Sequence, residues 1–379
     1  MIKKKKNKSI KGIFIACGLG SLVFMGTSSP ASASCTGVCS NCHTMHNSQN
    51  GAPVTGDGIP RPFLGNFGGS TSCWGCHGKN STDNIDPVNG APQIRHTNNT
   101  DLAGGNFAYI TGDKPLDTGD VHTVGHNVKD IHEDDGNYDS NFDGGTYPPG
   151  DVFTQAQEGF DKFTFTCAGK YGCHGDRNQN DEYLAMYGAH HTGDSMLKFG
   201  TINEGNQGGT AGTSYRFLKG VKGGEDSNWE ATKSSSDHNE YKGAPTAIDG
   251  TKISPGGNTM SGLCAECHGN FHRTTGTGTA SPWLRHPTDI SLPATGEYAS
   301  YTTYDPSAPV GRTSIPNAPS NEIHPDQLTD DIVMCLSCHR PHASKYRDIL
   351  RWRYEDMNAG AGAGANGTGC FICHTLKDE

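Results

Sequence analysis

Few stretches of this chain repeat apolar positions with a helical or a strand period. KYRDILRWRYEDM (345–357) has helical spacing and predicts a helix. Elsewhere Gly, Pro, Asn and Asp interrupt the pattern every few residues, which predicts turns and irregular backbone. DPSAPVGRTSIPNAPS (305–320) reads as a linker or extended loop, and NAGAGAGANGTG (358–369) as a low-complexity loop. One apolar run stands out, from Gly12 to Gly26. Lys3, Lys4, Lys5, Lys6, Lys8 and Lys11 precede it, and Ala31-Ser32-Ala33 follows as an A-x-A cleavage site. This is the pattern of a secretory signal peptide over residues 1–33, with Ser34 opening the mature chain. The run falls short of the roughly 20 residues a spanning helix needs, and no other segment is apolar enough to span a membrane.

Composition changes this picture. Phe, Leu, Ile and Val total only 58 of 379 residues, against 52 Gly and 20 Pro. Loss of the six leader lysines moves the net charge from −10 to −16. Low apolar content with high net charge normally leaves a chain disordered, unless something other than side chains supplies the core. The acidic balance also argues against nucleic acid as a partner, since that surface requires clustered Lys and Arg.

The cysteines point to the missing core. Of 14 cysteines, ten form five C-x-x-C-H motifs: Cys39/Cys42/His43, Cys73/Cys76/His77, Cys264/Cys267/His268, Cys335/Cys338/His339 and Cys370/Cys373/His374. Zinc ribbons or disulfides would need the cysteines but not a histidine directly after every second one. Haem c needs both: two thiols bond its vinyl groups and the adjacent histidine binds iron from the proximal face. CAGKYGCHG is a sixth candidate, with Cys167, Cys173 and His174 and five residues between the cysteines instead of two. Gly169 and Gly172 would let the extra residues bulge outward; a local disulfide is the other reading. Cys17 leaves with the leader and Cys35 is left over. Six haems would supply the apolar interior, so the expected fold class is mostly irregular coil with few short helices near the haem sites, its core the haem chain.

Eighteen histidines leave twelve beyond the six proximal ones. That supply suffices for bis-histidine ligation of every iron. Three motifs carry a second histidine close behind: CHTMH (His46), CHGNFH (His272) and CHRPH (His342). A residue three or four places on stays on the proximal side of its own haem, so these suggest ligands exchanged between closely packed neighbours. The favoured distal ligands are His96, His126, one of His190 and His191, His238, His286 and His342; His122, His132 and His324 are spares. DDGNYDSNFDGG (134–145) carries D-x-N-x-D-G at Asp139, Asn141, Asp143 and Gly144. It is a candidate Ca2+ loop that lacks the terminal Glu, Gly150 standing there. The mature chain divides into a four-haem region (34–290), a linker or extended loop (291–322) and a two-haem region (323–379), which shared haems would fuse into one unit.

These residues resemble the filament-forming outer-surface multihaem cytochromes of metal-reducing bacteria. CSNCHTMHN, LAGGNFAYI, CAGKYGCHG, YGAHH, SYRFLKG, DHNEYKG and WLRHPTD look like the tetrahaem branch and cover most of 35–290; CLSCHRPHAS is similar to the hexahaem branch. The resemblance implies a chain that is mostly coil, bis-histidine haems, and identical protomers stacked end to end. It also implies that His46 ligates a haem of the neighbouring protomer. The expected function is then an extracellular, non-enzymatic electron conduit that meets other cytochromes or extracellular acceptors. A soluble periplasmic shuttle is the alternative, and a multihaem reductase a further one. The reductase would need an iron with an open position, and no C-x-x-C-K variant is present to supply a lysine-ligated one.

Overall fold

The structure is a computed structural model. It describes residues 48–49, 52–53, 73–78, 82–88, 90–117, 123–126, 128, 131, 165–186, 218, 220–226, 228–245, 258–272, 286–325, 331–360 and 367–375. The chain divides into Met1–Ala31 and Ser32–Glu379, and all the described residues belong to the second unit.

Irregular backbone dominates. Among the described residues the α-helices are α1 (Trp74–His77), α2 (Glu182–Ala185), α3 (Met260–Ala265) and α4 (Cys335–Cys338), none longer than six residues. α1 and α4 lie over C-x-x-C-H motifs, α3 runs into the first cysteine of another, and a 3₁₀ turn at Gly369–Ile372 lies over the last. The reason is local: one helical turn brings positions i, i+3 and i+4 to the same side, which gathers two cysteines and a histidine. Among the described residues no helix is long and apolar enough to cross a membrane.

The strands are β1 (Ser48–Gln49), β2 (Ala52–Pro53), β3 (Gly223–Gly224), β4 (Glu240–Lys242), β5 (Ile290–Ser291), β6 (Gly311–Arg312) and β7 (Ile332–Val333). β1 and β2 pair alone; the other five form a sheet in the order β3-β4-β6-β7-β5. Only β4 and β6 run parallel in it. Strands this short are not held by their ladder alone. Arg312 ties them together: its guanidinium bonds Asp331, which is fully buried, and lies 3.4 Å from Glu240 Oε2, equally buried.

Among the described residues, apolar packing gathers in three small clusters. One contains Leu292, Tyr301, Tyr304, Val310 and Ile323, with Cys373 against it. A second gathers Phe107, Ile110, Val124, Phe165 and Ala343 around Trp74 and Cys167. The third joins Val221, Tyr241, Met260, Met334 and Leu336.

Two sequence expectations are corrected. KYRDILRWRYEDM is not a helix but two 3₁₀ turns, Arg347–Ile349 and Tyr354–Asp356, with Asp348 and Ile349 at φ 57° and 52°. Its backbone bonds across to the preceding motif, Arg340 N–H to Ile349 O and Arg351 N–H to Cys338 O, so tertiary pairing overrides local propensity. Residues 291–322 are irregular but not a free linker, since Leu292, Tyr301, Tyr304, Ala308 and Val310 are core residues.

The C-terminal region interlocks with the earlier one. Residues 342–344 run between 104–106 and 124–126. His342 N–H bonds Gly104 O, Asn106 N–H bonds Ala343 O, His126 N–H bonds His342 O and Ser344 N–H bonds Val124 O. Gly105, at φ +94°, permits this contact, because a Cβ there would sit 2.1 Å from the Ala343 carbonyl oxygen.

Candidate haem sites

Four C-x-x-C-H motifs lie within the described residues and share one backbone turn. The histidine N–H donates to the first cysteine's carbonyl: His77 to Cys73 (2.9 Å), His268 to Cys264 (2.9 Å), His339 to Cys335 (3.0 Å) and His374 to Cys370 (3.0 Å). In three of them the second cysteine's N–H donates to the same oxygen: Cys76 at 3.2 Å, Cys267 at 3.1 Å and Cys373 at 3.3 Å. The long-spaced site repeats both bonds: His174 N–H to Cys167 O at 2.9 Å and Cys173 N–H to Cys167 O at 3.3 Å. The extra residues fold out as a loop closed by Gly172 N–H to Gly169 O and Gly169 N–H to His174 O, with Gly169 at φ +90°. The glycines of CAGKYGCHG thus let Cys167, Cys173 and His174 reproduce the geometry of the short motifs. Cys39, Cys42, His43, His46, His122, His132, His190, His191 and the acidic loop at 134–145 lie outside the described residues.

None of the ten described cysteines is in a disulfide. The motif cysteines differ in burial. Cys76 is buried, whereas Cys267, at the same place in its own motif, is half-buried and Cys173 is exposed. The cause at Cys76 is the segment folded over it: the Gln93 side-chain amide, itself fully buried, donates to Cys76 O at 2.9 Å. Cys267 instead precedes the 3₁₀ turn Gly269–His272, which leaves its side partly open. Among the described residues no group of three or more His, Cys, Asp or Glu is arranged to hold a metal ion alone.

Burial raises the thiols of Cys338 and Cys373 to about 12 and that of Cys370 in the same direction. These thiols are neutral, in apolar surroundings that suit a hydrophobic ligand. Thiols of successive motifs meet, Cys73 with Cys167 and Cys264 with Cys335.

The histidines associate in pairs. His126 lies 6.0 Å from His268 between ring centroids, His342 lies 5.9 Å from His174, and His286 lies 6.1 Å from His374. Each pair joins a motif histidine to one outside the motifs. Two imidazoles on opposite faces of one metal, each nitrogen about 2 Å from it, have centroids about 6 Å apart. The spacing therefore fits a shared iron. The first two pairs are tilted by 46° and the third is nearly perpendicular at 89°.

Hydrogen bonds at Nδ1 orient these rings. Nδ1 of His77 meets Pro92 O (2.8 Å), that of His126 Pro341 O (2.5 Å), that of His286 Pro287 O (2.9 Å) and that of His339 Asp348 O (2.7 Å). His374 Nδ1 meets a carboxylate oxygen, Glu297 Oε1, at 3.0 Å. An N–H donated at Nδ1 fixes the tautomer whose Nε2 lone pair faces a metal. Burial lowers the basicity of His77, His126 and His286, so each is a neutral ring at pH 7. His342 falls to about 3, chiefly by burial, with His174, His126 and His77 adding repulsion. Its ring stacks on Phe107 at 5.0 Å, and its Nδ1 is buried without a hydrogen-bond partner.

The remaining expected ligands divide. His96 is fully buried and lowered to about 4 by burial, in a loop closed by Asn106, whose amide donates to His96 O at 2.9 Å. His238 is fully buried, with a partner on each nitrogen. Its Nδ1 meets Ser234 O at 3.0 Å, its Nε2 meets Glu240 Oε1 at 3.3 Å, and its ring stacks 3.8 Å from Tyr304. Its Nε2 faces Glu240 of the buried Arg312 cluster, while the Ser234 carbonyl holds its Nδ1. His324 is exposed beside Glu322. His272 lies in the 3₁₀ turn Gly269–His272 after its motif. Sequence reasoning misses Pro92, Glu297, Pro341 and Asp348, because a backbone carbonyl or one glutamate among many carries no signal there.

Residues 328–379, which hold the last two C-x-x-C-H sites, match the sequence family described as a doubled CXXCH motif. No curated protein matches the chain. Two solved structures align with most of it. One is the Outer Membrane Cytochrome S filament from Geobacter sulfurreducens, at 18% identity and TM-score 0.41, over 91% of this chain and 93% of that one. The other is the cryo-EM structure of the OmcS nanowires from Geobacter sulfurreducens, also at 18% identity and TM-score 0.41, over 92% of each chain. A superposition this loose does not by itself assign fold or activity.

Proposed function

We propose that this chain is an exported multihaem c-type cytochrome that carries electrons along a continuous row of six haems, and that protomers join end to end in an extracellular filament. The observation that carries the reading is the pairing of His268 with His126, His174 with His342 and His374 with His286, each at the separation of two ligands on one iron.

The haems would be held by Cys39/Cys42/His43, Cys73/Cys76/His77, Cys167/Cys173/His174, Cys264/Cys267/His268, Cys335/Cys338/His339 and Cys370/Cys373/His374. When bound, they supply reversible one-electron transfer. The chain's own residues do the rest. Cys73 against Cys167, and Cys264 against Cys335, draw successive sites together. His126, His286 and His342 would close the second face of three irons, which would exclude substrate there and favour a carrier over a reductase. His96 and one of His190 and His191 would serve the remaining sites. His46 would serve a haem of the next protomer.

Electron microscopy of the native secreted protein beside His46→Ala tests this reading. Filaments in the native protein that shorten or vanish in the variant are expected. Discrete particles in both, with six-coordinate spectra, would replace the filament with a soluble periplasmic shuttle. A five-coordinate signal in the native protein would favour the reductase.

A further inference from the structure

His374 differs from the other motif histidines whose Nδ1 partners are described above. His77 and His339 donate to backbone carbonyls, whereas His374 donates to the Glu297 carboxylate at 3.0 Å. The contact is built from main chain and side chain together. Glu297 O accepts Thr375 N–H at 2.9 Å and also bonds the Thr375 hydroxyl, so Glu297 grips His374-Thr375 at both ends. Glu297 sits in the short 3₁₀ turn Gly296–Tyr298. The next residue completes the clamp: the Tyr298 ring lies 5.0 Å from the His374 ring, and its hydroxyl also bonds Glu297. Both members of the pair are only partly exposed, 25% for His374 and 20% for Glu297, so water screens the charge incompletely.

We propose that Glu297 is a positioning residue that sets the reduction potential of the C-terminal site, holding His374 as a more electron-rich ligand than a carbonyl-bonded histidine. A carboxylate accepting Nδ1–H pulls that proton toward itself and leaves more negative charge on the ring. The ring then stabilises the ferric state over the ferrous one, and the potential falls. A backbone carbonyl does this only weakly. The site at Cys370/Cys373 is thereby biased downward, giving the haem row a built-in energetic slope at its C-terminal end. This inference rests on the reading of Cys370/Cys373/His374 as a haem site completed by His286.

The site has its own signature. The His286 and His374 rings cross at 89°, against 46° in the other two pairs. Two perpendicular imidazoles on one iron would leave its d orbitals nearly degenerate, so this haem would give a strongly anisotropic low-spin EPR signal, distinct from the two sites whose rings cross at 46°. The test is a potentiometric titration followed by EPR on the native protein, Glu297→Gln and Tyr298→Phe, with haem attachment read by peptide mass spectrometry. Gln keeps an acceptor oxygen and removes the charge. A positive shift of the anisotropic component alone is expected. Phe keeps the ring and removes the competing hydroxyl donor, so a negative shift is expected. An unchanged midpoint in Glu297→Gln with the anisotropic signal retained would overturn the role of Glu297. Shifts of the same sign in both variants would also overturn it, because that is the mark of altered packing. A peptide carrying no haem at Cys370/Cys373 would overturn the underlying site assignment, and the inference with it.

Discussion

Nδ1 of His126 donates to the carbonyl of Pro341 across 215 residues of sequence, at 2.5 Å. The bond joins the two regions that the sequence divides at a linker, and it aims His126 toward His268. The residue after Pro341 serves a different site, since His342 turns the other way, to His174. One dipeptide behind the fifth motif therefore supports two sites that are not its own. The proposed exchange of ligands behind CHRPH would use this placement of His342 beside His174.

His342→Ala should leave one haem of the six five-coordinate, visible as a high-spin component in the optical and EPR spectra. His342→Met should restore a six-coordinate low-spin site, since a thioether can ligate iron. Gly104→Ala should give a partial version of the alanine phenotype, because a Cβ there would come within 2.8 Å of His342 Nδ1. Low-spin spectra unchanged in His342→Ala would place its ring outside the axial set.

The long-spaced motif makes a claim about mass. Cys167, Cys173 and His174 reproduce the backbone bonds of the C-x-x-C-H turns, so the secreted protein should carry six haems. The double variant Cys167→Ser, Cys173→Ser should carry five. An intact mass with five haems in the native protein, and a Cys167–Cys173 disulfide, would return this site to the disulfide reading.

Much of the cofactor chemistry was legible because it is written in contiguous residues. C-x-x-C-H carries its own geometry within one helical turn, and the glycines of CAGKYGCHG announce the bulge. The shortness of the helices among the described residues was legible too, in the density of Gly, Pro and Asn. Pairings such as His126 with His268 were not, since they depend on where coil segments cross. The unequal burial of Cys76 and Cys267 was hidden for the same reason, because the Gln93 segment that covers Cys76 is remote from the motif. His238 shows the limit from the other side. A histidine in a loop-like context reads as an available ligand until the structure places Glu240 and Ser234 on its two nitrogens. KYRDILRWRYEDM fails for a related reason: its apolar spacing serves a wrap around the motif at 335–339, not a helix face.

Arg312 tests the polar core. Glu240 and Asp331 are both fully buried, and Arg312 is the cation they share. Removing one partner of a buried ion cluster strands the others without compensation, at a cost of about 3–5 kcal/mol. Arg312→Met should therefore lower stability by that order in denaturant unfolding. Arg312→Lys should recover little, because an ammonium cannot reach both carboxylates and the Glu322 carbonyl that the guanidinium also bonds at 2.9 Å. A loss under about 1 kcal/mol would mean that the carboxylates are solvated on their own.

Lys233 gives the pH dependence. Burial lowers its ammonium from 10.5 to about 8, and Arg340 adds repulsion that Glu230 only partly offsets. The folded state thus prefers the neutral amine. Below pH 8 the lysine is charged in both folded and unfolded chains, and the burial penalty is felt in full. Between pH 8 and 10.5 the folded chain sheds its proton first. The unfolded state then binds more protons, so stability rises with pH. Above 10.5 the penalty is gone. Lys233→Met removes the charge without changing the packing volume greatly. It should stabilise the protein at neutral pH, and its advantage over the native chain should shrink steadily as pH climbs through that window. Denaturant midpoints of the two proteins across the window supply the measurement. Taking the difference between them cancels the tyrosines and other groups that titrate alongside. An advantage independent of pH would show that the gain came from packing and that the Lys233 ammonium costs nothing where it lies.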